Sequence, residues 1–266
     1  TGRLHSRAAL PGTNNSGAGE GTELYSQITV DEVQDYSPSE IALIIDSVNK
    51  KEQLTLVGDA GQELRAQGAF VGWSRLTSLL GRHNASRFVE LTVSHRSTLP
   101  IMRFAAHLGG RDLIREGRPG KPPLWYRCRK EQSAVTEALG WLERVTARER
   151  NASVAVLCRD FAQARYLVSL LRPTFGEGVR QFDPRDLSAE EGIFVSDIVS
   201  VKGLEFPYIL LWDVSVDKYG DDPLSRNLLY VAATRAIDRL ALVTWRKPSP
   251  LLPRRSDLVR VVREEI

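Results

Sequence analysis

Asp31 and Glu32 end the apolar run Ile28, Thr29, Val30 within the stretch ITVDEVQD. An acidic pair at the carboxyl end of a buried strand sits where an open α/β sheet carries its chemistry. A second run, LTLVGD, repeats the arrangement: Leu54, Leu56 and Val57 lead to Asp59, and Gln62 follows three residues later. Two strand-end carboxylates with a common task fit nucleotide hydrolysis, one entering the shell of a Mg²⁺ ion and the other orienting or deprotonating the attacking water. An isolated acidic pair is more often a solvated turn, so the reading depends on the residues that accompany it.

Those companions follow in order. ELTVSHRST supplies Arg96, SVKGLEF supplies Lys202, Gly203 and Glu205, and LLYVAATRA supplies Arg235. Together, from about Ile28 to Thr244, these segments resemble motifs II to VI of the UvrD/Rep family of superfamily 1 helicases. The resemblance implies ATP and Mg²⁺ as cofactors and assigns the residues their parts. Asp31 would hold the metal, Glu32 would be the base, and Gln34 and Asp35 would link this strand end to neighbouring motifs. Asp59 would belong to the nucleotide site, and Gln62 would contact the γ-phosphate or the attacking water. Arg96 and Arg235 would be arginine fingers brought in by lobe closure, a role that suits a planar, permanently charged fork. Gly203 would let the backbone approach the nucleotide, and Glu205 would bond its ribose or the Arg235 guanidinium. Tyr230, with Ala232, Ala233 and Thr234, reads as helix packing within reach of the cleft.

The pattern also departs from the family. No segment matches G-x-x-x-x-G-K-[ST], the loop that cradles phosphates; GTNNSGAGEG is glycine-rich but lacks the Lys-Ser/Thr pair. In the family that loop lies well upstream, so this chain reads as the carboxyl-terminal part of an ATP-dependent DNA helicase or translocase, with half an ATPase site and background hydrolysis on its own. ELRAQGA, after Gln62, has no aromatic residue to stack on bases, and Asp197 and Val199 occupy the family's Thr-x-His positions. A weak, salt-sensitive hold on single-stranded DNA is therefore expected. Such departures resemble the compact, RNA-polymerase-associated helicase-like branch, and the alternative function is a non-catalytic module that binds RNA polymerase or a DNA-repair partner.

The elements that must position these residues alternate. Ser37 caps a helix that begins at Pro38 and offers Ile41, Leu43, Ile44, Ile45 and Val48 as an apolar face. A helix over Trp73 to Leu80 and a strand near Phe88 to Leu91 follow. A second unit opens near Ser94, with Ser97 capping a helix that Gly109 and Gly110 stop. PPLWYRC, SVAVLC, IFVSDIVSV, YILLWDV and LALVTW read as strands, with helices over Glu131 to Arg148, from Asp160 to about Leu171, and over Leu228 to Ala236. This alternation predicts an α/β fold of two RecA-like lobes with parallel sheets, the first lobe incomplete. The expected division is a flexible segment over 1–24, the partial first lobe over 25–93, the second lobe over 94–247, and a peripheral tail over 248–266. Residues Pro11 to Thr22 read as a flexible loop.

Composition sets the outer bounds. The 266 residues are 42% hydrophobic and 26% charged, enough for one large or two modest domains. No apolar run approaches the ~20 residues a bilayer span needs, no secretory h-region opens the chain, and a cytoplasmic protein with no membrane partner is expected. Cys128 and Cys158, in strand-like surroundings, read as reduced core thiols. The net charge of +3 permits a local basic groove without requiring one. Thr1 at the start and a single methionine, Met102, read as a fragment or processed product.

Overall fold

The computed structural model describes residues 24–50, 53–64, 72–79, 87–90, 94–112, 114–149, 151–183, 191–254 and 257–263. The expectation for the loop over 11–22 falls outside them.

The first lobe is small. β1 (Ile28–Val30) and β2 (Leu54–Leu56) pair in parallel, with α1 (Pro38–Asp46) crossing between them and α2 (Trp73–Leu79) behind. Helix α1 starts where the sequence says it should. Ser37 and Glu40 form a reciprocal capping box, and Pro38, which has no N–H to satisfy, takes the first helical position. Ile41 and Ile45 meet Val30, Val33 and Leu76 in a separate core, whereas Leu43 faces solvent. A stripe one residue in three or four covers one face of a nine-residue helix, and Leu43 lies off it. Residues 87–90 form no strand, which corrects the expectation at Phe88; Phe88 and Val89 are exposed.

The second lobe is built on a parallel seven-stranded sheet of order β11-β5-β10-β9-β6-β8-β7. Its strands are β5 (Leu124–Arg127), β6 (Ser153–Cys158), β7 (Val179–Gln181), β8 (Gly192–Asp197), β9 (Phe206–Leu211), β10 (Ala236–Thr244) and β11 (Arg260–Arg263). The strands read as unbroken apolar runs because helices cover both faces. In β6, Ala155 and Leu157 pack toward α3 (Leu99–Leu108) and α6 (Pro223–Thr234), while Val154, Val156 and Cys158 pack toward α4 (Glu131–Arg148) and α5 (Phe161–Phe175). β3 (Ser94–Thr98) pairs with β4 (Gly117–Arg118) as a separate ribbon beside β10.

Three sequence expectations change here. Thr98, not Ser97, is the N-cap of α3, because the helix begins at Leu99, one residue later than the sequence suggests. Helix α6 begins at Pro223, five residues before Leu228, with Asp222 accepting from the Ser225 amide at 2.9 Å as its cap. The segment read as a peripheral tail is part of the lobe: Leu251, Leu252 and Val259 are buried in the core and β11 extends the sheet beside β5. Proline at 248, 250 and 253 suggested a broken tail, yet the chain only needs to turn there before it pairs. No disulfide forms: Cys158 is fully buried and Cys128 half-buried.

Candidate active site between the two lobes

The first lobe delivers its acids from two adjacent strand ends. After β1 the chain turns sharply, and Glu32 adopts a left-handed backbone with φ 52°, a conformation that non-glycine residues seldom take outside functional turns. Asp31 is exposed and accepts the Glu32 amide at 2.8 Å. Behind them Gln34 is fully buried and its amide is shared: Nε2 donates to Glu32 Oε2, and Oε1 accepts from the Asp59 amide at 3.0 Å. The two acidic strand ends are thus locked to one another by one side chain. Gly58 makes this possible, since a Cβ there would overlap Gln34 Oε1.

Asp59 caps the short turn Ala60–Gln62 through the Gly61 amide at 2.9 Å and holds Gln62 Nε2 at 3.2 Å. Its carboxylate also crosses to the second lobe. Arg111 Nη2 donates to Oδ1 at 2.6 Å, Tyr230 Oη donates to Oδ2 at 2.8 Å, and Arg111 Nη1 donates to Tyr230 Oη at 2.9 Å. The guanidinium lies 4.3 Å from the Tyr230 ring centroid, a cation–π contact that closes the triangle. A side chain at Gly61 would overlap Arg111. Burial pushes the Asp59 carboxyl up, but Arg111, the Gly61 amide and the Tyr230 hydroxyl together outweigh it and hold it below its usual value. Burial and the Asp59 charge push the Tyr230 hydroxyl up, so it stays a donor.

From the second lobe, Arg235 at the end of α6 is almost completely buried. Its Nη2 donates to Gln62 Oε1 at 2.7 Å, its Nη1 donates to the Leu204 carbonyl at 3.4 Å, and its Nε has no partner among the described residues. Burial lowers its pKa, with Glu205 and Glu32 as the nearest opposing charges. Arg96 is exposed and ion-paired with Glu205, and Lys202 is ion-paired with Asp35 across the lobes. Gly203 has φ +82° and nothing within 4 Å of a Cβ position, so its backbone is open to a ligand.

The structure therefore gathers Glu32, Asp59, Gln62, Arg96, Glu205 and Arg235 around one interlobe cleft, with Asp31 at its exposed rim. Glu205 differs from expectation, because its ion pair is with Arg96 rather than with Arg235. Arg111 was not foreseen at all. It follows the Gly109–Gly110 stop and carries no motif, one of 36 Lys and Arg residues in the chain. Tyr230, which opens YVAATRA, reads from the sequence as packing within reach of the cleft, and the structure adds its hydroxyl bond to Asp59.

The fit to Mg²⁺ rests on the donors. Among the described residues no three His, Cys, Asp or Glu side chains converge as a closed metal site. Mg²⁺ that keeps waters and shares phosphate oxygens needs only one or two carboxylates, and exposed Asp31 fits that requirement.

The clamp on Asp59 can be tested directly. Tyr230→Phe keeps the ring and removes the hydroxyl from both Arg111 and Asp59, and is expected to weaken lobe closure by about 1–3 kcal/mol. The two-lobe contact, read as interlobe distance by spin labels, should widen in Tyr230→Phe and widen further in Arg111→Met. Because the Asp59 pKa is depressed, its contribution is complete above the ordinary carboxylate range and is lost as pH falls through the lowered value. Closure that is unchanged in both variants would rule the clamp out.

Comparison with known proteins places this geometry. Residues 192–243, from β8 into β10, match the family described as the UvrD-like helicase C-terminal domain. Among solved structures, the C-terminal domain of a possible DNA helicase from Lactobacillus plantarum WCFS1 is similar at 26% identity and a TM-score of 0.51, over 63% of this chain and 98% of that one. No curated protein matches. The matched segment carries the Gly203 turn, Glu205 and Arg235, the second-lobe side of the cleft. The segment on the second-lobe side of the cleft is thus similar to a UvrD-like helicase C-terminal domain.

Proposed function

We propose that the interlobe cleft is the hydrolytic site of an ATP-dependent, UvrD-like DNA helicase or translocase, and that opening and closing of the two lobes moves the protein on nucleic acid. The observation that supports this most is the 2.7 Å bond from Arg235 to Gln62, which joins the transition-state cation of one lobe to the γ-phosphate sensor of the other. Asp31 holds Mg²⁺, which supplies charge neutralisation for the phosphates when bound. Glu32, fixed by Gln34, aligns the attacking water and takes its proton. Arg235 and Arg96 stabilise charge on the transferring phosphoryl oxygens, and such electrostatic stabilisation does most to lower the barrier to phosphoryl transfer. Gly203 and Glu205 flank the nucleotide. Cytoplasmic action fits two cysteines that form no disulfide.

The second reading, a module that binds RNA polymerase or a repair factor without hydrolysis, is favoured by the loop after β8. Asp197 spends both oxygens on its own turn, accepting the Ser200 amide at 3.0 Å and hydroxyl at 2.6 Å, and Val199 is exposed beside it. Neither offers a donor to a nucleic-acid strand.

Two measurements on the 266-residue chain test the proposal. Having no phosphate-loop motif, it should hydrolyse ATP at background; robust Mg²⁺-dependent turnover abolished by Glu32→Gln would overturn the division of labour. Oligo(dT) should bind weakly at low salt and lose on the order of tenfold or more between 50 and 200 mM, since each neutralised phosphate releases counterions. Tight, nearly salt-independent binding would reveal an aromatic platform, and no binding at low salt would favour the interaction module.

A further inference from the structure

At the amino ends of β5, β9 and β10, a cavity of about 310 Å³ opens beside the β3–β4 ribbon. Four cations, Arg118, Lys121, Arg148 and Arg239, line it with a single carboxylate, Asp238. That carboxylate is already neutralised. Arg118 Nη2 donates to Asp238 Oδ1 at 2.6 Å and to the carbonyls of Ile237 and Arg96 at 2.9 and 3.1 Å. Lys121, Arg148 and Arg239 have no ion-pair partner among the described residues. A concavity lined by unpaired charge of one sign focuses its field on a counter-ion.

Thr98 forms part of the wall as well: it is 2% exposed, and its Oγ1, with no partner among the described residues, is closed off from solvent. Gly120 shapes the same wall, because a Cβ there would overlap the Thr98 side chain.

We propose that this cavity is an oxyanion site that takes a phosphate group, with Lys121, Arg148 and Arg239 neutralising its charge. Guanidinium and ammonium groups are the donors that phosphate oxygens select. The volume lies at the lower end of the range for small-ligand sites, enough for one or two phosphoryl groups. The phosphate can be free or part of a nucleic-acid backbone. The site does not depend on the hydrolytic reading.

The test uses the 266-residue chain, with sodium pyrophosphate titrated at ionic strength held constant by chloride, followed by calorimetry, and labelled oligo(dT) in a second arm. Lys121→Gln with Arg239→Gln should weaken pyrophosphate at least about tenfold, equivalent to about 1.4 kcal/mol. If the double variant also loses oligo(dT) affinity, with a salt slope shallower by about 1.4 for two lost phosphate contacts, the phosphate comes from a strand. If only pyrophosphate is affected, the ligand is a free phosphate compound. Pyrophosphate and oligo(dT) binding that the double variant leaves as in the wild type, or the absence of both, would overturn the proposal.

Discussion

Arg235→Ala, made in a polypeptide that supplies a phosphate loop ahead of this chain, should lower kcat by about 10³–10⁵, the range over which an arginine finger acts in phosphoryl transfer. The size of the effect follows from its position. The guanidinium is 3% exposed, has one edge on Gln62 and the Leu204 carbonyl, and keeps Nε unpartnered. A buried cation with an unused donor is organised for a ligand that arrives later. Arg235→Lys should recover little, because a point charge cannot bridge Gln62 and a phosphate oxygen at once. Nucleotide affinity should change far less than kcat, since the charge it meets develops in the transition state. A kcat within about tenfold of wild type in a folded Arg235→Ala protein, against the range above, would remove the finger.

Glu32→Gln should lower kcat by about 10²–10⁴ while sparing ATP binding, as expected for a general base. The substitution keeps the shape and the contact with Gln34, so the left-handed turn at φ 52° should survive. What is lost is the ability to take a proton. Turnover and binding that fall together would mean that Glu32 supports the site's structure instead.

Most of the second lobe was legible in the sequence because its signals are local and repeated. SVAVLC is apolar at every position but the first, and a strand covered on both faces must be so; its burial from Val154 to Cys158 is complete. The helix over Glu131–Arg148 carries Ala134, Ala138, Trp141, Leu142 and Val145 at helical spacing, and those five are its buried residues. The acids of the first lobe were legible for a related reason, since an apolar run that ends in a carboxylate marks a strand mouth.

What escaped has no local pattern. Arg111 acquires its part only when α3 packs beside α6 and carries it 2.6 Å from a carboxylate 52 positions earlier. Thr98 looks like any N-cap until its hydroxyl is seen to make no capping bond. β11 was hidden because an edge strand of four residues can keep arginine at both ends, where the charges discourage pairing with another sheet. Leu251 and Leu252, just after Pro250, are buried through tertiary packing that no period announces.

The central claim is that the cleft couples ATP hydrolysis to a nucleic-acid strand. Its most direct test is steady-state MgATP turnover of the phosphate-loop-bearing polypeptide, measured against increasing single-stranded DNA at low salt. Turnover should rise and saturate with DNA, and should be lost in Arg235→Ala at every DNA concentration. Turnover indifferent to DNA, or none at all with the phosphate loop present, would contradict it.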